Sequence, residues 1–359
     1  MINNEDCMNL FGLNKEQIPI LYSMEYLLVK RDIMSNPKNS DKKEQWLEKW
    51  TNILNNLDEN EDIIKFVSLE SLIGAIKKEA STKDEMNNTW LYLIFLEATL
   101  FKAYTPLSED KEEAKEFAHL KYKNDIEYLK ILAGKTNIIN PDYIKRFKDT
   151  YSKSINKITG KVKNVTVVTV SVVAISAIAA TISSIFSRQI SVSLFGGNYE
   201  GLHGAALANA CLAFAGGGAV AMGGHGVLGG TAVIAGGGAL LGAVVSGACA
   251  GVVGALINRS PEFVLTHAAR LEVVMKEILL NANHDIVNAQ LVMNGLKEKI
   301  HELQKELDEI KLAREDDKKA LHNLKKSLSY LRKAYGDMRR FESSFEIGYH
   351  TDGELDNEQ

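Results

Sequence analysis

The strongest constraint on this chain is the uneven distribution of its charges. Of its 359 residues, 42 are Lys or Arg and 46 are Asp or Glu, yet residues 164–258 contain only two of them, Arg188 and Glu200. Nineteen of the 27 glycines lie within 196–254. A single water-soluble globule has no need for such a division, so we treat the chain as separate regions.

The region 164–258 contains two uncharged segments that are long enough to cross a bilayer. A transmembrane helix needs about 20 predominantly apolar residues. Residues 164–187 form one candidate, although a helix buried in a soluble domain is the alternative. Residues 201–258 are long enough for two helices, with a break at 223–226. Because this division rests on length alone, the sequence leaves open whether there are two, three or four spans.

The glycines of the second segment recur in pairs four residues apart. In a bilayer, small residues at this spacing let helices approach closely. The pattern predicts helix packing, and hence a homo-oligomer inside the membrane. The residues that form these pairs are Gly226, Gly230, Gly238, Gly242, Gly247 and Gly251.

Three polar residues in the same segment are candidate pore or gating residues. Polar groups at membrane depth indicate function by default. Asn209 is predicted to lie in mid-helix, where it would line a pore or bond across a helix interface. His203 and His225 are possible gating residues, or else they mark helix ends. The GxGxxG match at 224–229 is rejected as a nucleotide site, because no strand precedes it and the next acid is Glu262.

Residues 1–160 are predicted to form a soluble helical domain. Apolar residues recur at helical spacing in six stretches, and the tryptophans within them are predicted to be core residues. The predicted helices cover 18–33, 46–57, 63–76, 90–104, 117–132 and 143–158.

The flank of the uncharged region predicts the orientation of the chain. Residues 141–163 contain seven basic residues against two acidic ones. Basic residues beside a span favour the cytoplasmic side. The N-terminus has no basic and apolar leader, and the three cysteines lack disulfide or zinc spacing. We therefore expect a multi-pass protein of the inner (plasma) membrane with its N-terminus in the cytoplasm.

Residues 260–340 are predicted to form a long coiled coil. A helix should begin at Pro261, after which apolar residues recur at alternating steps of three and four if Glu272, Arg314 and Asp317 are included in the seam. One continuous helix of this length would measure roughly 110 Å. The sequence does not decide between pairing within one chain and pairing between chains. Residues 341–359 are predicted to be a mostly disordered tail.

Several functional classes are excluded or disfavoured by the same sequence. No catalytic motif is present, so we predict no enzyme activity, no metal site and no cofactor. The net charge of −4 disfavours a protein that binds duplex nucleic acid. The predicted fold class is all-α, with a soluble helical domain, glycine-rich transmembrane helices and a C-terminal coiled coil.

The glycine-rich stretch GGHGVLGGTAVIAGGGALLGA at 223–243 resembles the membrane segments of channel effectors in bacterial anti-phage defence, in particular the Hailong-type effector. The resemblance implies an oligomeric ion channel that depolarises the host membrane, with residues 1–160 as its sensing or regulatory domain. It also implies control by a nucleotide or oligonucleotide signal that a nucleotidyltransferase partner makes, without identifying the residues that bind the signal. Two alternatives remain open. One is a soluble α-helical pore-forming toxin, and the other is a membrane scaffold that does not conduct.

Overall fold

The computed structural model describes residues 16–55, 64–82, 88–105, 115–160, 261–312 and 318–355. The regular structure in these ranges is helical, and none of these ranges contains a strand. The predicted all-α fold class is confirmed at this level.

Each predicted run contains a helix, although several helices begin or end at other residues than predicted, and one π-helical segment follows the first helix of the C-terminal region. They are α1 (Gln17–Ser35), α2 (Ser40–Asn55), α3 (Leu69–Ser81), α4 (Thr89–Leu100), α5 (Ile126–Thr136), α6 (Asp142–Thr159), α7 (Pro261–Val273), the π-helical segment (Val274–Ala282), α8 (Ile286–Leu312) and α9 (Lys318–Leu355).

The described residues belong to two compact units, which divide within α6 between Lys148 and Asp149. The first unit contains α1 to α5 and the first turns of α6. The second unit contains the rest of α6 and the helices from α7 to α9. Since each unit has its own buried residues, each is described by itself.

The first unit is built around α4, which is apolar on all sides. Nine of its twelve residues are buried, as expected for a helix enclosed by others. α1 packs against α2, α3 and α4, and α5 packs against α3 and α4. Trp46 and Trp50 are fully buried and their rings stack with centroids 5.8 Å apart. The prediction that the tryptophans are core residues is confirmed.

Two helices of the first unit begin later than the apolar periodicity predicted, because a capping side chain fixes the first turn. Ser68 accepts a hydrogen bond from the backbone N–H of Ser71, so α3 begins at Leu69. The Asp125 carboxylate accepts from the N–H of Tyr128, so α5 begins at Ile126. The apolar residues that precede these caps lie outside the two helices.

The second unit is a bundle in which the direction of each helix follows from paired residues. Ser154 contacts Glu272 and Thr150 contacts Glu277, so the chain directions of α6 and of α7 with the π-helical segment are opposite. Lys276 contacts Asp337, and the ring of His284 meets that of Phe345. α7 and the π-helical segment therefore run parallel to α9.

Most of the described residues of the predicted heptad seam are buried, but they pack between separate helices of one chain and do not form one continuous helix. The chain turns at 283–285 after the π-helical segment, and α8 and α9 pack against each other on either side of residues 313–317. Leu303 and Leu307 of α8 are buried, as are Leu324 and Leu328 of α9. A continuous rod of roughly 110 Å is therefore replaced by shorter helices folded back on one another.

Two smaller expectations about this region can be compared with the structure. The seam residues Arg314 and Asp317 lie outside the described residues. α9 continues to Leu355, which corrects the expectation of a mostly disordered tail from 341 onwards. Phe341 and Phe345 account for the difference, because the first lies beside the Lys276 ammonium and the second meets His284.

The predicted transmembrane region 164–258 lies outside the described residues. Among the helices that are described, none combines the length and the apolar character that crossing a bilayer requires.

Candidate functional site: a buried charge cluster between the helices that flank the uncharged region

Lys276, in the π-helical segment, is buried between two carboxylates. Its Nζ donates a hydrogen bond to Glu272 Oε2 at 2.7 Å and another to Asp337 Oδ2 of α9. Glu272 is fully buried, and Lys276 and Asp337 are each less than a tenth exposed. Because a buried charge is tolerated only when it is paired, Lys276 fastens α7 and the π-helical segment to α9.

α6 joins the same cluster through side chains spaced one turn apart. The Ser154 hydroxyl donates to Glu272 Oε2 at 2.7 Å, and Lys157 Nζ donates to Asp337 Oδ1 at 3.0 Å. We call these residues, together with Arg340, whose Nη2 lies 3.3 Å from Asp337 Oδ1, the Lys276 cluster. The cluster thus connects the last helix before the uncharged region with the first helices after it.

Two further contacts hold the C-terminal half of α6 in place. The Thr150 hydroxyl donates to Glu277 Oε1 at 2.6 Å, and Glu277 is itself buried. At the end of α6, Lys333 Nζ donates to the carbonyl oxygen of Ile158 at 2.9 Å. A cation at this position satisfies a carbonyl that the helix leaves unpaired and also complements the helix dipole.

The π-helical segment explains how two neighbouring charged residues are both buried. All seven residues from Val274 to Leu280 are buried, including Lys276 and Glu277. A π-helix has more residues per turn than an α-helix, is rare, and occurs often at functional sites. Here it surrounds the charged pair with protein, so that each charge must be matched by a partner on another helix.

The two carboxyl groups of the cluster have pKa values displaced in opposite directions. Burial raises the pKa of Glu272, and the contacts from Lys276 and Ser154 only partly offset this. Burial also acts to raise the pKa of Asp337, but hydrogen bonds from Lys276 and Lys157 outweigh it and hold that pKa well below its usual range. Asp337 is therefore the anchoring anion for the surrounding cations.

A second buried polar group, the Asp32 cluster of Asp32, Lys43 and Tyr104, lies in the first unit. Asp32 Oδ2 accepts from Lys43 Nζ at 2.6 Å and from the Tyr104 hydroxyl at 2.8 Å. Tyr104 has a left-handed backbone with φ of 64°, which is strained for a bulky residue. Burial raises the pKa of its phenol, and Asp32 raises it further, so the phenol remains a hydrogen-bond donor.

Both clusters hold separate parts of the chain together through buried ion pairs and hydrogen bonds. In each, a buried carboxylate accepts hydrogen bonds from an ammonium and from a hydroxyl group that belong to other parts of the chain. The described part of the chain contains no group of three or more His, Cys, Asp or Glu residues arranged to hold a metal ion. The Lys276 cluster is the more informative of the two, because it joins α6, which precedes the uncharged region in the sequence, to α7 and the π-helical segment, which follow it.

None of the site residues predicted from the sequence lies in the described part of the chain. The pore and packing candidates, the possible gating histidines and the glycine pairs remain predictions. They are Asn209, His203, His225, Gly226, Gly230, Gly238, Gly242, Gly247 and Gly251.

The residues of the Lys276 cluster were not recognised as a site from the sequence. One signal did exist, since Glu272 occupies an apolar seam position four residues before Lys276. Asp337 was a second signal, because it is the single acidic residue in the otherwise basic stretch between Lys318 and Phe341. What the sequence lacked was the fold that brings α6 and α9 to the same point.

Comparison of the chain with protein-family models, with curated proteins and with solved structures found no match.

Proposed function

We propose that this protein is an oligomeric integral membrane effector whose glycine-rich region forms an ion-conducting pore. The single observation that carries the proposal is the 58-residue run 201–258, which has no charged residue in a chain that is otherwise rich in charge. A helix is the only way for an isolated segment to satisfy its backbone in lipid, and small residues there favour helix packing.

The geometry of the second unit supports a specific topology for this proposal. α6 and α7 lie antiparallel, with Thr150 opposite Glu277 and Ser154 opposite Glu272. The end of α6 and the start of α7 therefore lie at the same end of the bundle. A segment that leaves and returns at one place crosses a bilayer an even number of times. We therefore propose two or four spans, whereas the length of the segments alone also allowed three.

An even number of spans puts the helical region before the uncharged segment and the bundle after it on one side of the membrane. The basic flank at 141–163 favours the cytoplasmic side. On this proposal the N-terminal helices form a cytoplasmic sensing domain. The role in anti-phage defence and the control by a nucleotide or oligonucleotide signal rest on the resemblance of the glycine-rich stretch alone.

Cysteine accessibility in intact cells tests the topology. After replacement of Cys7, Cys211 and Cys249, single cysteines are introduced at Lys153 and at Lys318, both of which are exposed. We expect an impermeant maleimide to label neither position in intact cells and both after permeabilisation. Labelling of position 318 alone in intact cells would establish an odd number of spans and overturn the topology.

Membrane extraction and depolarisation separate the channel from its two alternatives. An integral channel resists carbonate and high salt and depolarises cells when overexpressed. A soluble toxin would be released by carbonate, or would be found in the soluble fraction before any trigger. A scaffold would resist extraction without depolarising the membrane. Either of the last two results would overturn the proposal.

A further inference from the structure

α9 carries a stripe of basic residues along one face. Lys318, Lys325, Arg332 and Arg339 recur every seven residues, and all four are exposed. At this spacing they lie above one another on an α-helix, over about 30 Å. We call these four residues the basic stripe.

Along the part of α9 that the stripe covers there is a single acidic residue, and the further acids of the helix, Glu342, Glu346, Asp352 and Glu354, all follow the stripe. Asp337 is the single acid between Lys318 and Phe341, and its carboxylate is turned into the Lys276 cluster. Within the described ranges, Lys318, Lys325 and Arg339 form no ion pair, and Arg332 donates to the side-chain amide oxygen of Gln304. Hydrogen bonds from Lys311 and Gln304 lower the pKa of the Asp308 carboxyl group on α8, and the charge of Arg332 adds to this effect. The positive charge of the stripe is therefore least opposed at Lys318 and Lys325.

The position of the stripe relative to α6 indicates what it faces. Lys333 bonds the carbonyl oxygen of Ile158 at the end of α6, so α9 continues past that end through Arg332, Lys325 and Lys318. Fifteen residues separate Lys318 from Lys333, which corresponds to about 22 Å of helix. The N-terminal half of the stripe therefore extends beyond α6 in the direction in which α6 points at its C-terminal end.

We infer that the basic stripe of α9 binds the anionic phospholipid headgroups of the membrane that the uncharged region enters. This inference rests on the proposed function, because it takes the bilayer surface to lie beyond the end of α6, beside the N-terminal half of the stripe. Clustered Lys and Arg residues beside a span attract anionic lipid, and the attraction falls off within a Debye length. The binding is therefore electrostatic, sensitive to salt and directed at the headgroup rather than at the acyl chain.

The test uses the full-length protein in nanodiscs of phosphatidylcholine alone or with about one third phosphatidylglycerol. Hydrogen exchange of α9 is measured at low salt in both. We expect exchange in the N-terminal half of α9 to be roughly fivefold slower, or more, in the anionic discs, because each basic residue near the surface adds to the attraction. Raising the salt to about 1 M, where the Debye length is about 3 Å, should remove the difference.

Two triple variants of equal net charge provide the comparison. The variant Lys318→Gln, Lys325→Gln, Arg339→Gln removes the stripe but keeps Arg332, which contacts Gln304. The control replaces three exposed lysines of α8 by Gln, at Lys297, Lys305 and Lys311. The lipid effect should disappear in the first variant and persist in the second.

The outcomes distinguish failure of this inference from failure of the proposed function. A protein that does not co-elute with the discs would overturn both. Co-elution with equal exchange in the two kinds of disc would overturn the inference alone, as would an equal loss of the effect in both variants. Stripe-dependent binding of a nucleic-acid oligomer without any lipid effect would reassign the stripe to a different partner and overturn the inference as well.

Discussion

Replacement of Lys276 by methionine should loosen the second unit by breaking a buried charge pair. Met keeps much of the length of the side chain but leaves Glu272 and Asp337 buried without the ammonium that lies between them. Removing one partner of a buried ion pair costs about 3–5 kcal/mol. Since about 1.4 kcal/mol is a factor of ten, local opening of this part of the bundle should increase by roughly two to three and a half powers of ten.

The pH dependence of this effect has a definite sign. The pKa of Glu272 is already raised by burial, and loss of the ammonium should raise it further. A carboxyl group whose pKa is raised by folding contributes stability below its unfolded-state pKa, and this contribution is lost as the pH rises through the folded-state pKa. The destabilisation of Lys276→Met should therefore shrink as the pH falls from 7 towards 5. Asp337 acts in the opposite sense in the wild type, since its lowered pKa stabilises the fold above its unfolded-state pKa and this stability is lost only in strong acid.

Hydrogen exchange of the full-length protein in detergent measures this opening directly, because it reports local unfolding without requiring two-state behaviour of the whole chain. Protection should fall in the C-terminal half of α6 and in α7 but not in α1, which belongs to the first unit. Lys305→Met is the matched control, because it removes the same charge from an exposed ion pair. The Lys305 side chain is 75% exposed, and its Nζ lies 3.9 Å from Glu309 Oε1. The reasoning would be refuted if local opening increased by less than about tenfold. It would also be refuted if the difference in opening free energy between the variant and the wild type grew as the pH falls.

Three further predictions concern other parts of the chain. Asp32→Asn should destabilise the first unit by about 3–5 kcal/mol, because it leaves the Lys43 ammonium buried without its carboxylate, and loss of protection in α2 should report it. Ala239→Asp should abolish membrane depolarisation at equal expression, since a charge at mid-bilayer costs about 2.5–3.5 kcal/mol on insertion scales; persistent depolarisation would show that the glycine-rich region is not the spanning element. Gly242→Leu should block oligomer assembly in detergent while Gly242→Ala does much less, because only the larger side chain prevents close helix contact; equal losses would rule out packing through this glycine.

The helices themselves were readable from the sequence because their apolar residues repeat at helical spacing. α4 and α6 appear close to their predicted bounds, and α7 begins at Pro261 as predicted. The predicted first residues of the helices were less accurate where apolar residues precede a capping residue. Ser68 and Asp125 set the starts of α3 and α5, and a periodicity of apolar residues carries no information about either hydrogen bond.

The pairing of the C-terminal helices was not readable for a different reason. A heptad pattern states which face of a helix is apolar but not which partner covers it. The turn at 283–285 follows the π-helical segment, and no glycine or proline in the sequence marks it. The Lys276 cluster depends on contacts between residues as far apart as Lys157 and Asp337, so its geometry follows only from the folded chain.

The Lys276 cluster also gives a physical reason why the bundle adopts one register. A seam of leucines is nearly symmetric, so sliding α9 by one heptad would still bury leucine against leucine. Such a slide would bring Tyr330 or Ser344 to the place of Asp337, and Lys276 would then face no carboxylate on α9. Buried polar pairs are best attested as devices that fix register, at a cost in stability. Because the same pair connects with α6, the register that it fixes also sets where the uncharged region leaves the bundle and where it returns.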